Sequence, residues 1–211
     1  MTHESTVDLL VLHAVRIVGF ADTPAIARRY GLEPADTDEL LGDAEAYGWV
    51  QHSEFADLRG WSLTERGRAQ DERLLAAELT LVDGEEEVRE VYRDFLPVNA
   101  RLQRTCTDWQ LRPTSDDRLA TNDHSDAEWD TRVLAELAAI EHDLVPLADR
   151  LGRLLARFQG YDTRFAVARR RAQDGDEGWV DATNVDSCHR VWFELHEDLV
   201  ATLGIDRQAP A

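Results

Sequence analysis

Between Thr23 and Gly67 the chain is punctuated so closely by helix starters and stoppers that few folds can accommodate it. Pro24 and Gly31 bracket one short segment and Pro34 and Gly48 the next, the order in which proline opens a helix and glycine closes it. Two short helices joined by a tight turn follow. Upstream, Val7, Leu10, Ala14, Ile17 and Val18 recur at helical spacing after a capping box read at Ser5 and Asp8, which predicts a first helix over residues 6–19. Asp22 or Thr23 is the expected cap of the second helix. The third is expected to turn Leu40, Leu41, Ala44 and Tyr47 inward. Residues 49–53 and 61–63 are β-prone and joined by a polar turn from Glu54 to Gly60, so a hairpin comes next. Thr64 then caps a helix striped with Leu74, Leu75, Leu79 and Val82, and a domain boundary is placed at residue 82.

Residues 83–211 read as helical throughout, over about 85–111, 127–145, 146–158, 163–173 and 185–203. Pro97 predicts a kink or split in the first of these, and Pro146 opens the third. Residues 112–125 and 174–178 are loops by composition, and the last five or so residues are expected to fray. A signal peptide and a membrane-length apolar run are both missing from the pattern, and Cys106 and Cys188 form no disulfide framework. A cytoplasmic protein with no membrane role is expected.

The stretch Ile26, Ala27, Arg28, Arg29, Tyr30, Gly31, Leu32, the segment from Leu40 to Val50, and the step Ser62, Leu63, Thr64, Glu65, Arg66, Gly67, Arg68 together resemble the winged helix-turn-helix domains of MarR-like and PadR-like bacterial transcription regulators. The resemblance covers about a third of the chain. It implies a mainly α protein: an N-terminal winged helix-turn-helix over 1–82 with a small β-hairpin wing, then an all-α C-terminal domain over 83–211. It also implies double-stranded DNA as a partner, contacted through Arg28, Arg29, Thr37, Arg59, Arg66 and Arg68, with the helical half forming a homodimer and sensing a small-molecule effector.

Charge argues in the opposite direction. The formal net charge is −19, and all 23 basic residues are arginine. The third helix and its approach carry Glu33, Asp36, Asp38, Glu39, Asp43 and Glu45 and no basic residue at all. Phosphate contacts supply most sequence-independent affinity, and each carboxylate facing a phosphate repels it. Which way these six side chains point therefore decides between DNA binding and its alternative, a winged-helix module that no longer binds DNA and acts as a protein-interaction or regulatory domain. The ending from Val191 to Gly204 is similar to tail segments of actinobacterial phosphoenolpyruvate-utilising proteins, which links that alternative to an enzyme system.

In the helical half, Trp109, Arg112, His124, Tyr161, Arg164, His189, Trp192 and His196, with Trp129 and Trp179 as further aromatic wall, combine aromatic surfaces with a few polar groups, the composition of a ligand pocket. His189 and His196 lie seven apart on one helix, wider than the i, i+4 spacing of metal ligands, so no metal is expected without a third ligand such as His124, Asp123 or His142. Arg150, Arg153, Arg157 and Arg169 to Arg171 concentrate positive charge among acids, and surface pairing is expected of them. No Gly-rich phosphate loop, nucleophile elbow or zinc-protease helix is present. The chain reads as a non-enzyme without a cofactor.

Overall fold

The computed structural model describes residues 2–55 and 58–205, with only the backbone at Phe55. It is mainly helical, with one two-stranded antiparallel hairpin. Local signals set most boundaries in the first half. Helix α1 (Val7–Val18) is capped by Thr6, whose hydroxyl accepts from the Leu9 N–H, and not by Ser5; Gly19 ends it with φ 80°. Helix α2 (Thr23–Arg29) begins at Asp22, whose carboxylate accepts from the Ala25 N–H at 2.9 Å. Helix α3 (Pro34–Ala46) has proline in its first turn and Gly48, at φ 72°, just beyond its end.

Strands β1 (Val50–Phe55) and β2 (Leu58–Leu63) pair with Val50 opposite Leu63 and Glu54 opposite Arg59. The tip of the expected turn, residues 56–57, lies outside the described residues, as do the last residues, 206–211, expected to fray. Ala21 adds a short bridge to Trp61 through two backbone hydrogen bonds of 2.8 and 3.3 Å. Gly60 makes room for it, since a Cβ there would stand 2.8 Å from the Ala21 carbonyl oxygen. Helix α4 (Glu65–Leu81) starts at Thr64, which accepts from the Gly67 N–H at 3.0 Å.

Val11, Leu12, Val15, Ile26, Leu41 and Val50 form the interior of this part, each worth about 1.5–3 kcal/mol for full burial. Tyr47 departs from the expected inner stripe: it is 61% exposed, because it occupies the C-cap of α3 where the stripe runs out, and it stacks on Trp49 at 4.7 Å.

Four longer helices follow: α5 (Glu85–Gln110), α6 (Ala127–Leu154), α7 (Tyr161–Gln173) and α8 (Cys188–Leu203). The break expected at Pro146 is absent, and α5 continues through Pro97. Both prolines are exposed, so water can satisfy the carbonyl each one orphans. Around Pro146, Leu144, Leu147, Ala148 and Leu151 keep the buried stripe unbroken.

The chain divides into two compact units. One comprises residues up to Val88, Leu154–Arg157 and the chain from His196; the other comprises Arg89–Arg153 and Phe158–Leu195. The division is discontinuous, where a single cut at residue 82 was expected. Arg157 and Asp198 belong with the first unit because they bind Glu78 of α4 and His13 of α1.

Candidate functional site

On the first unit the six carboxylates at 33, 36, 38, 39, 43 and 45 are all exposed. Two have local partners: Asp38 accepts from the Thr23 hydroxyl at 3.0 Å, and Glu45 from the His52 N–H at 3.1 Å. Neither contact removes the charge from the surface of α3. Thr37, an expected DNA contact, is buried and spends its hydroxyl on the Glu33 carbonyl at 2.9 Å, because its place one turn into α3 faces the core. Arg29 is likewise turned inward. It lies over the Tyr30 ring at 4.5 Å with Nε and Nη2 buried, so it is not offered to a phosphate.

Arg28, Arg66 and Arg68 are exposed, the Arg66 guanidinium lying beside Gly48. Arg59 on β2 pairs across the hairpin with Glu54 at 3.2 Å, its side chain 74% exposed. Arg68 stands 3.7 Å from Glu197.

Beneath this surface lies a polar cluster that the sequence reading missed. His13 on α1 is fully buried, with Nδ1 3.2 Å from Asp71 on α4 and Nε2 3.0 Å from Asp198 on α8. Ionised carboxylates only accept hydrogen bonds, so an acid on each ring nitrogen favours the doubly protonated imidazolium form of His13. Burial alone would push its pKa down, but Asp71 and Asp198 outweigh burial and raise it. Asp198 also takes Arg157 Nη1 and is held well below the usual carboxylate range: burial opposes this, and Arg157 and His13 overcome it.

Arg157 donates further to Glu78 at 2.9 Å and to the Thr202 hydroxyl at 2.8 Å. Arg16 extends the cluster to Asp71, Glu72 and Glu197 at 3.3, 2.9 and 3.0 Å. Burial pushes the nearby Tyr30 phenol upward, which keeps it neutral. Each buried charge is paired, as the cost of burying a lone one demands. The side chains of His13, Asp71, Arg157 and Asp198 are closed to solvent, so the chemistry of the cluster's centre is cohesion.

In the second unit the residues expected to wall one pocket fall into separate groups. Trp109, Arg112 and His124 do come together at the connection between α5 and α6. The Trp109 and His124 rings are 4.3 Å apart, His124 Nδ1 is 3.1 Å from Asp130, and Asn122 Nδ2 donates to Asp130 at 2.9 Å and to the Trp109 carbonyl at 3.1 Å. His124 holds a left-handed backbone, φ 57°, with its N–H given to the Asn122 side-chain oxygen at 3.2 Å.

Arg112 donates to Asp126 at 2.7 Å, and Asp126 caps α6 through the N–H groups of Glu128 and Trp129. Those Trp129 and Arg112 donors hold its carboxyl below the ordinary range.

Arg164 lies 5.9 Å from the Tyr161 ring and binds Asp186 and Glu194. Trp192 is buried against Phe95 at 4.9 Å and donates its indole N–H to Asn99 at 2.9 Å. His189 is exposed, and His196 belongs to the first unit. Among the described residues no three His, Cys, Asp or Glu side chains are placed to hold a metal ion. A cavity of about 220 Å³ in this unit is lined by Thr105, Asp108, Trp129, Arg132, Val133 and Glu136, so of the residues expected to wall a pocket it includes only Trp129.

Burial pushes the Cys106 thiol up to about 12, with Asp181 adding to it, and raises Cys188 as well, which removes both from nucleophilic use. The arginine concentration pairs locally: Arg150 with Glu90 and Asp94, Arg153 with Asp149, Arg169 with Glu141, and Arg171 with Asp176. Arg157 departs from that surface pairing through its burial in the cluster around His13.

No helix among the described residues is long and apolar enough to cross a membrane. Comparison with family models, curated proteins and solved structures finds no match for this chain.

Proposed function

We propose that α1 to α4 with the hairpin form a winged helix-turn-helix module that works as a regulatory, protein-binding domain and does not read DNA through α3. The observation that carries this reading is the exposure of all six carboxylates on and beside a helix with no basic residue. A phosphate backbone meeting that face is repelled at each contact, while a partner surface rich in arginine or lysine is attracted. Thr37 and Arg29, both turned inward, subtract two of the six groups through which DNA would be held.

One observation favours the second reading, a DNA-binding regulator whose helical half dimerises and responds to an effector: Arg28, Arg59, Arg66 and Arg68 are exposed on the same unit.

Fluorescence anisotropy with duplex from the protein's own upstream region separates the two. At about 50 mM salt the wild type should show no binding into the 10⁻⁴ M range, and the variant Asp36→Asn/Asp38→Asn/Glu39→Gln should gain salt-sensitive binding. Tight wild-type binding that falls steeply with salt and is lost in Arg28→Ala/Arg59→Ala would overturn the protein-binding reading. Co-purification with a native-host partner, abolished in the charge-neutralised variant, is its positive counterpart.

A further inference from the structure

Helices α1, α3 and α4 of the first unit do not close completely against one another. A groove of about 300 Å³ remains between them, the lower end of the size range of small-molecule sites. Its floor is apolar, supplied by Val11, Leu12, Leu41 and Leu74, and its end wall is the stacked pair Tyr47 and Trp49. Two carboxylates, Asp8 from the first turn of α1 and Asp43 from the third turn of α3, stand at its rim. The only other polar side chain in the lining besides the tyrosine is Gln70, and no arginine contributes; Arg66, beside Gly48, stands outside the lining.

Three features of this lining converge on one kind of occupant. Tyr47 is exposed and Trp49 half-buried, so the pair presents aromatic surface to the groove, and its π faces attract cations. Asp8 and Asp43 have no ion-pair partner among the described residues, unlike the carboxylates around His13 and those facing Arg150 or Arg164. Carboxylates from two helices lining one apolar groove, with no guanidinium in the lining, favour a positive ligand. An anion is repelled, and a neutral apolar molecule leaves both charges uncompensated beside it.

We propose that this groove binds a small organic cation, an ammonium group carrying an apolar body, with the ammonium between Asp8 and Asp43 and against the Tyr47 ring, and the body over Leu12, Leu41 and Leu74. The site shares Asp43 with the acidic face of α3 but uses none of the other five carboxylates of that face.

The experiment titrates the full chain by calorimetry with benzyltriethylammonium, with its uncharged carbon isostere, and with 3-phenylpropionate. The cation should bind, the neutral isostere at least about tenfold more weakly, and the anion not measurably. Asp8→Asn/Asp43→Asn should weaken the cation by about tenfold or more while leaving the circular dichroism and unfolding midpoint unchanged, both side chains being exposed, and raised salt should act in the same direction. Tyr47→Leu should weaken the cation and spare the neutral isostere, and NMR should show the shifts centred on the Trp49 indole.

Equal affinity for cation and isostere, cation binding undiminished in the double variant, or no cation binding at millimolar concentration to folded protein would each overturn the proposal. The Asp36/Asp38/Glu39 variant, which tests α3 against DNA, leaves Asp8 and Asp43 intact and should bind the cation as the wild type does.

Discussion

His13 has a carboxylate on each ring nitrogen, and its proton is worth more to the folded protein than to the unfolded chain. Its folded-state pKa is raised, so the stability it contributes is complete below the unfolded value of about 6.5 and is lost as pH rises through the folded value. Asp198, depressed by Arg157 and His13, has the opposite sign: its contribution is present above about pH 4 and is lost as pH falls. Chemical unfolding midpoints should therefore form a plateau between about pH 4 and 6.5 and decline on the alkaline side.

His13→Ala should abolish that alkaline decline and cost about 3–5 kcal/mol, because Asp71 and Asp198 remain buried with half their compensation gone. A midpoint that holds level from pH 6 to 9 in the wild type would contradict the imidazolium assignment. None of this was legible in the sequence. Asp71 is 58 residues and Asp198 185 residues from His13, and a histidine on an apolar helix face carries no sign of which acids will fold against it.

At the scale of elements, legibility followed the strength of local chemistry. The starts of α2, α3 and α4 were readable because a proline or capping side chain does the same work in the sequence as in the fold: Asp22 and Thr64 accept the N–H bonds that cap formers are chosen to accept. Pro146 misled because its cost to the helix, a lost N–H bond and a ring clash, is outweighed: its exposed position lets water reach the orphaned carbonyl, and the buried stripe continues on both sides of it. The grouping of Trp109 with His124 was partly readable from the cap-rich loop between them, but its polar atoms turned out to secure the loop.

The joint between hairpin and α4 rests on Trp49, whose carbonyl accepts from the Thr64 N–H at 3.0 Å while Gly67 packs directly on the same oxygen. A Cβ at 67 would collide with it. Gly67→Ala should accordingly cost about 1–3 kcal/mol and release hairpin amides to faster hydrogen exchange, more than alanine at exposed Gly42, where a Cβ meets nothing within 4 Å. Equal stability of the two variants would show that the joint yields.

For the whole molecule, the partition matters more than the helix count. The first unit draws on three separated stretches of chain, and the cluster around His13 needs all of them: Asp71 from α4, Arg157 from the second stretch and Asp198 from the third. A fragment ending at residue 88 keeps His13, Asp71 and Glu78 but lacks Asp198 and Arg157, so it retains two buried acids with much of their compensation removed. Such a fragment should show weak near-ultraviolet circular dichroism and broad amide resonances, where the full chain gives a cooperative unfolding transition. A well-folded fragment would reduce the cluster to an ornament of an already stable module.

The same separation sets a clock during synthesis. At about 5–20 residues per second, the ribosome delivers Asp198 roughly ten to forty seconds after His13, and until then the imidazole has only Asp71 to meet. The unit that holds α1 thus completes its buried cluster only after α8 has emerged, although α1 to α4 precede α8 in the chain, and a chaperone that attends the nascent chain would shelter α1 until then.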